Sequence, residues 1–255
     1  ALGDSEFNRQ ELEALGFAPT GVLHVVPDFA HLDVTPDART LNAYDDEWTN
    51  ILFVGRVIPN KRPDDLIRAF HAYKTHCNPR SRLILAGSSG GFETYVAQLH
   101  ALIAALGLED VHLLGQVTNE ALTALYDCAD VFLCASEHEG FCVPLIEAFY
   151  KRVPVLAYAA TAVPATMDGG GVLYTDKHPT RVAALVQSLT DDTARVERIL
   201  RAQDAALDRL LARDFDGTLL QFVDQTLATT RCQRPPVAYD FWRQFKLADE
   251  LEEIR

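Results

Sequence analysis

VFLCASEHEGFCVPLIEA, residues 131–148, is the stretch on which the reading of this chain turns. The apolar run Val131 to Ala135 reads as a buried strand, and it stops at Ser136. A helix begins a few residues later, with Pro144 suited to its first position because proline's missing N–H is no loss there. A strand therefore hands over to a helix through a tight acidic loop. Glu139 lies in that loop. Glu147, after seven intervening residues, falls in the first turn of the helix, so both carboxylates are expected to face one crevice. The helix N-terminus adds unpaired backbone N–H groups and a partial positive charge. Such a corner can hold hydroxyls on its carboxylates and an anion on its amides.

The same rhythm extends outward. Strand-like runs at Ile51 to Gly55, Leu83 to Gly87, Val111 to Gly115, Val131 to Ala135, Val153 to Ala157 and Val172 to Tyr174 alternate with segments of helical length. Runs that are apolar on both faces and separated by helices mean a parallel sheet covered on both sides. The expected fold is α/β, a doubly wound, Rossmann-like parallel sheet of about six strands. Pro63 to His76 shows how the helices are written: Asp64 and Asp65 sit in the first turn, and Leu66, Ile67, Phe70 and Tyr73 make one apolar stripe. Gly91 to Leu106, Asn119 to Asp127, Thr180 to Leu189, Asp191 to Arg213 and Gly217 to Thr229 follow the same rule. In open sheets of this type ligands bind at the carboxyl ends of the strands, where Arg56 and Glu139 both fall.

The ends of the chain break the rhythm. Asp4 or Ser5 is expected to cap a short helix that stops at Gly16, Val22 to Val26 reads as a strand, and Pro27 to Trp48 reads as a connector. The abrupt start implies a chain that opens partway through a larger protein. Beyond Gln233 to Pro236, Val237 to Arg255 is a helix candidate whose Tyr239, Phe241, Trp242, Phe245 and Leu247 need a surface to cover. Three parts are thus expected, residues 1–48, 49–232 and 233–255.

Composition narrows the function classes. With 255 residues and 48% hydrophobic content the chain can bury a full core. A formal charge of -13 argues against nucleic acid as partner, since phosphate backbones are gripped by an excess of Lys and Arg. The five cysteines, Cys77, Cys128, Cys134, Cys142 and Cys232, are odd in number and form no C-x-x-C, so neither a disulfide framework nor a zinc site is expected. A reducing cytoplasm fits that usage. No apolar run approaches the ~20 residues of a membrane helix, and peripheral attachment to a membrane face stays open.

A second candidate site is GRVIPNKRPDD, residues 55–65. Arg56 leaves the strand end and Lys61 precedes Pro63, so two cations can converge where a phosphate would meet a helix N-terminus. Cations placed there oppose the helix dipole unless an anion binds between them. The ordinary reading is surface pairing with Asp64, Asp65 or Glu137. For Glu139 and Glu147 the ordinary reading is a solvated acidic loop and a dipole-favoured helix start. His138 is either a ligand contact or a solvated loop residue, and Cys142 either a thiol of lowered pKa at a helix start or a small residue in a tight turn. Gly87 to Gly91 and Gly169 to Gly171 are turn glycines, and neither G-x-G-x-x-G nor G-x-x-x-x-G-K-[ST] occurs. DFDGTL, residues 214–219, spells the phosphatase motif of haloacid-dehalogenase enzymes, but it follows the helical LDRLLAR and reads as a loop with Asp216 capping the next helix.

In combination these pieces resemble the C-terminal, donor-binding half of retaining glycosyltransferases of the GT-B fold, family four. The resemblance is carried by FVGRVIPNK, LILAG, VHLLGQV, ADVFLCASEHEGFCVPLIEAF and VPVLAYAATAVPATMDGGGVLY, in the family's order. SEFNRQELEALGF resembles the last segment of that family's N-terminal domain, and DFWRQF the start of a terminal helix that crosses back to it. The resemblance implies transfer of a sugar from a UDP- or GDP-sugar to a hydroxyl acceptor, with retention and without metal ion or cofactor. It implies that Arg56 and Lys61 neutralise the departing diphosphate beside Gly55, that Glu139 holds the transferred sugar's hydroxyls, and that Glu147 takes the ribose. Backbone amides of Gly140, Phe141, Cys142 and Val143 would face phosphates and sugar, and backbone near Gln116 and Val117 the base. The acceptor would be held by the protein's own N-terminal domain, absent from this chain. Cys142 stands where many relatives have glycine, and Ala165 where close relatives often have glutamate. Two other readings stay open: a sugar-nucleotide epimerase on the same fold, and a non-catalytic nucleotide-binding or assembly module.

Overall fold

The structure, a computed structural model, describes residues 1–228 apart from residue 24. The expected terminal helix, Val237 to Arg255, lies outside the described residues, as does Cys232. Two short parallel strands, β1 (Leu2–Gly3) and β2 (Gly21–Val22), flank helix α1 (Glu6–Ala14). Ser5 caps α1 by accepting from the Asn8 N–H, and Gly16 ends it at φ +86°. Of the expected strand Val22 to Val26, only Val22 is in a paired strand among the described residues, in β2.

The body of the molecule is a six-stranded parallel sheet: β3 (Thr49–Val54), β4 (Ser81–Ala86), β5 (Val111–Gly115), β6 (Val131–Cys134), β7 (Val155–Tyr158) and β8 (Val172–Tyr174). The spatial order is β5-β4-β3-β6-β7-β8, so the chain steps outward twice and then returns to lay β6 against β3, with Ile51 opposite Val131. Alternate residues feed opposite faces. Ile51, Phe53, Leu83, Leu85, Val131 and Leu133 join one buried cluster with α3 (Pro63–His76), α4 (Glu93–Ala105) and α8 (Pro179–Thr190). Leu52, Ile84, Phe132 and Cys134 join the other, with α5 (Asn119–Asp127), α6 (Val143–Tyr150) and α9 (Thr193–Leu211). That double burial is why the strands read as continuous apolar runs rather than alternating ones.

The strand ends are drawn close at the carboxyl edge. Gly55 N–H donates to Ala86 O at 2.9 Å and Gly87 N–H to Gly115 O at 2.8 Å. A Cβ on Gly87, whose φ is +150°, would stand 1.9 Å from Gly55 O. Glycine is therefore dictated there by close approach of two backbones.

Three expectations need correction. The connector Pro27 to Trp48 contains α2 (Ala38–Tyr44), capped by Asp37, which accepts from Thr40 N–H at 2.9 Å. Pro144 is the second residue of α6, after Val143, and Glu147 is the fifth, in the second turn. The helix after residue 214, α10 (Phe215–Ala228), begins one residue early, so Asp216 lies within its first turn instead of capping it. Residues 1–215 form one compact unit. Among the described residues no helix is long and apolar enough to cross a membrane.

Candidate functional site

Two loops meet where the strand order reverses. After β3 the chain passes through Gly55 and exposed Arg56 into a 3-10 turn, Pro59–Lys61; after β6 it runs through residues 135–142 into α6. Lys61 Nζ stands 2.6 Å from a Glu139 oxygen, and the two side chains are only 18% and 9% exposed. The same ammonium donates to His138 O at 3.4 Å, Asn60 Nδ2 donates there at 3.3 Å, and Glu137 N–H donates to Asn60 O at 2.9 Å. The loops are thus stitched together along their length.

The carboxylates offered by the ordinary reading are occupied by other cations. Arg62 binds Asp64 at 2.9 Å and Asp65 at 3.0 Å, while Lys177 binds Asp65 and Glu137, each at 3.0 Å. Lys61 is left to Glu139. Arg56 has no carboxylate within ion-pair distance among the described residues, and its guanidinium lies 5.7 Å from the centre of the Phe92 ring.

Glu139 is also clamped through its backbone. Its N–H donates to Thr161 Oγ1 at 2.9 Å, and the Thr161 hydroxyl donates back to Glu139 O at 3.1 Å. Thr161 adopts φ +47°, a left-handed conformation unfavourable for a β-branched residue, and so is held by its surroundings. Glu147 is buried with both oxygens engaged: His31 Nε2 lies 2.9 Å from Oε1, and Tyr126 OH donates to Oε2 at 2.8 Å. Burial, then the charge of Glu147, pushes the Tyr126 phenol well above its ordinary range, so it remains a neutral donor.

Beside Glu139 sits a pair of cysteines. Cys134 Sγ, Cys142 Sγ and an oxygen of Glu139 all lie within 4.8 Å of one another, the one cluster among the described residues able to hold a metal ion. Cys142 precedes α6 at φ +72°, which explains why glycine suits that position. The amides of Gly140, Phe141, Cys142 and Val143 meet no acceptor among the described residues. Phe141 itself is core, and its carbonyl accepts from the buried Thr166 hydroxyl at 2.5 Å. The N-terminal segment presses on this loop: a Cβ on Gly140 would meet Asp4 Oδ2 at 2.6 Å, and the Phe7 and His138 rings lie edge to face, 6.1 Å apart. His138 thus serves the loop through its carbonyl, with its ring exposed.

Not every candidate joins this corner. Gln116 and Val117 follow β5, three strand positions from β6, which at the usual spacing is about 14 Å away. Val117 lines a cavity of about 520 Å³ with Asp37, Tyr44, Leu114 and Thr118, and no other candidate residue lines it. Ala165 is exposed on the short helix α7 (Val163–Met167). Conversely, His31, Tyr126, Thr161 and Lys177 serve the site without having been singled out. Tyr126 looks like one more apolar position of α5, and His31 lies in a segment with no periodicity.

Comparison with known proteins gives a consistent result. The sequence model of the family described as "Glycosyl transferases group 1" matches residues 36–204. The D-inositol 3-phosphate glycosyltransferase of Kineococcus radiotolerans is 35% identical over 181 residues, 65% of this chain and 39% of that protein. The O-antigen chain mannosyltransferase B of Escherichia coli is 28% identical over 198 residues, 75% of this chain and 51% of that protein. Among solved structures, HepE of Anabaena in complex with UDP-glucose superposes with a TM-score of 0.73 at 23% identity, covering 89% of this chain and 63% of that one. The chain therefore spans about two fifths to one half of the length of these two curated relatives, and the structural likeness establishes a shared fold.

Proposed function

Because the chain belongs to the glycosyl transferases group 1 family, we propose that it is the nucleotide-sugar half of a retaining glycosyltransferase. It binds a nucleoside diphosphate sugar, UDP- or GDP-linked, and the sugar passes to a hydroxyl acceptor held by an N-terminal domain. The observation that carries the proposal is the meeting of Lys61 and Glu139 at the strand-order reversal, 2.6 Å apart and both largely buried. One group wants an anion and the other wants hydroxyls, and a sugar bound to a diphosphate offers both at adjacent positions.

In this reading Lys61, with Arg56, takes the diphosphate as it departs, and the free amides of Gly140 to Val143 add positive potential from the start of α6. Glu139 turns to the transferred sugar. Glu147 takes the ribose hydroxyls, exchanging its partly exposed His31 contact for them while Tyr126 stays in place. The bond from the anomeric carbon to the departing oxygen breaks, the acceptor oxygen bonds to the same face, and the leaving phosphate takes the acceptor's proton. Neither glutamate attacks carbon, and no metal ion is needed because side chains and amides supply the positive charge. A reducing cytoplasmic setting, at or near a membrane face, suits such a donor.

The test has two arms. A thermal-shift panel of UDP-, GDP- and ADP-sugars should stabilise the protein with one nucleotide class, and Glu147→Ala should abolish that shift. In the complete enzyme Lys61→Ala should lower kcat/KM by about 10² to 10³, the loss typical of one preorganised charge-stabilising donor. An unchanged kcat/KM overturns the assignment. Epimerised donor formed without any acceptor would instead identify an isomerase on the same fold.

A further inference from the structure

The thiols of Cys134 and Cys142 take no part in that chemistry, yet both face Glu139. Cys134 ends β6 and is 1% exposed, and its thiol donates to the fully buried Ser136 hydroxyl at 3.4 Å. Cys142 stands at the start of α6. The intervening loop arches so that both sulfurs and a Glu139 oxygen fall within 4.8 Å of one another. A tetrahedral zinc site, with Zn–S of about 2.3 Å and Zn–O of about 2.0 Å, sets its donor atoms about 3.5 to 3.8 Å apart. The three donors must therefore draw together on the ion.

The donor set selects the ion. Magnesium and calcium want oxygen cages, whereas two thiolates and one carboxylate suit a soft or borderline divalent ion such as zinc. The neighbouring Cys142 thiol holds the Cys134 thiol below its ordinary range, while Cys134 and burial hold Cys142 above it.

We propose that Cys134, Glu139 and Cys142 form a site for a thiophilic divalent cation, zinc in the cell, whose occupation closes the sugar-nucleotide site. Binding releases two protons, one from each thiol, and leaves M²⁺ held by two thiolates and a carboxylate. Glu139 then serves the ion, and its pairing with Lys61 is lost. The Ser136 hydroxyl, which accepts from the Cys134 thiol in the metal-free site, turns to donate to the thiolate and steadies the sulfur on the metal. The closing effect rests on the proposed function of Glu139; the metal site does not.

The experiment titrates cadmium into the reduced full chain and follows thiolate-to-metal charge-transfer absorption, with zinc affinity read by competition against a chelator. One equivalent should develop the band. Cys142→Gly, a residue the +72° backbone accommodates, should weaken zinc binding about 100-fold or more and remove most of the band. Cys77→Ser and Cys232→Ser should leave both unchanged. Absence of the band in the native chain, or its persistence in Cys142→Gly, overturns the site. A UDP- or GDP-sugar that binds should weaken zinc binding by the factor by which zinc weakens its own. A cadmium band indifferent to a bound sugar nucleotide keeps the metal site and overturns the closing effect, whereas donor binding without any band overturns this inference and leaves the proposed function standing.

Discussion

Lys61 and Glu139 are 78 residues apart in sequence and share one contact, buried enough that each depends on the other. Lys61→Ala should therefore destabilise the fold by about 2 to 3 kcal/mol, because it leaves a carboxylate in a site only 9% exposed without its partner. Adding Glu139→Gln to that variant should recover part of the loss, and urea unfolding of the four members of the cycle measures the coupling. Tyr126→Phe should cost about 1 to 2 kcal/mol by removing one of the two donors to buried Glu147. Residue types were legible at this scale. Cations at one strand end and acids at the next announced a polar corner, where Lys61 and Glu139 do meet, but the remaining partners were not readable. Arg62 and Lys177 claim Asp64, Asp65 and Glu137, and nothing in GRVIPNKRPDD distinguishes Arg62 from Lys61 as the residue that turns back on its own helix. The Thr161 clamp on Glu139 likewise spans 22 residues and leaves no local mark.

At the level of elements, long helices and doubly buried strands were written plainly. Pro63–His76 and Asn119–Asp127 begin and end where their caps and stripes place them, and all six strands of the main sheet lie within a few residues of their apolar runs. What escaped was short. The helix Ala38–Tyr44 has seven residues, too few to repeat a stripe, and its surroundings are rich in Asp, Thr and Pro. Its one signal is the cap: Asp37 bonds both the N–H and the hydroxyl of Thr40, at 2.9 and 2.7 Å. Asp37→Ala should cost about 1 kcal/mol and raise amide exchange at Thr40 and Leu41 before exchange rises in the sheet.

Across the whole molecule, two ties hold the layers. Gln203 on α9, fully buried, donates to Val153 O and accepts from Val155 N–H, each at 2.9 Å, standing in for a strand where β8 does not reach. Gln203→Leu should lower stability by about 2 to 3 kcal/mol, since both backbone groups are left unpaired in the core. Gly87→Ala should be worse, above about 3 kcal/mol, because its methyl would drive β3 and β4 apart at their carboxyl ends; chemical denaturation ranks the two. The strand order carries a further consequence. Since Gln116 and Glu139 leave strands fixed in rank across one hydrogen-bonded sheet, the span between their loops is a gauge cut into the scaffold. On the proposed reading of the site, changes of side chain can re-dress either end of that gauge, to favour another base or another sugar, but they cannot shorten it. On that same reading, visitors that reach only one end forfeit the grip of the other, and overall molecular length becomes a criterion of admission.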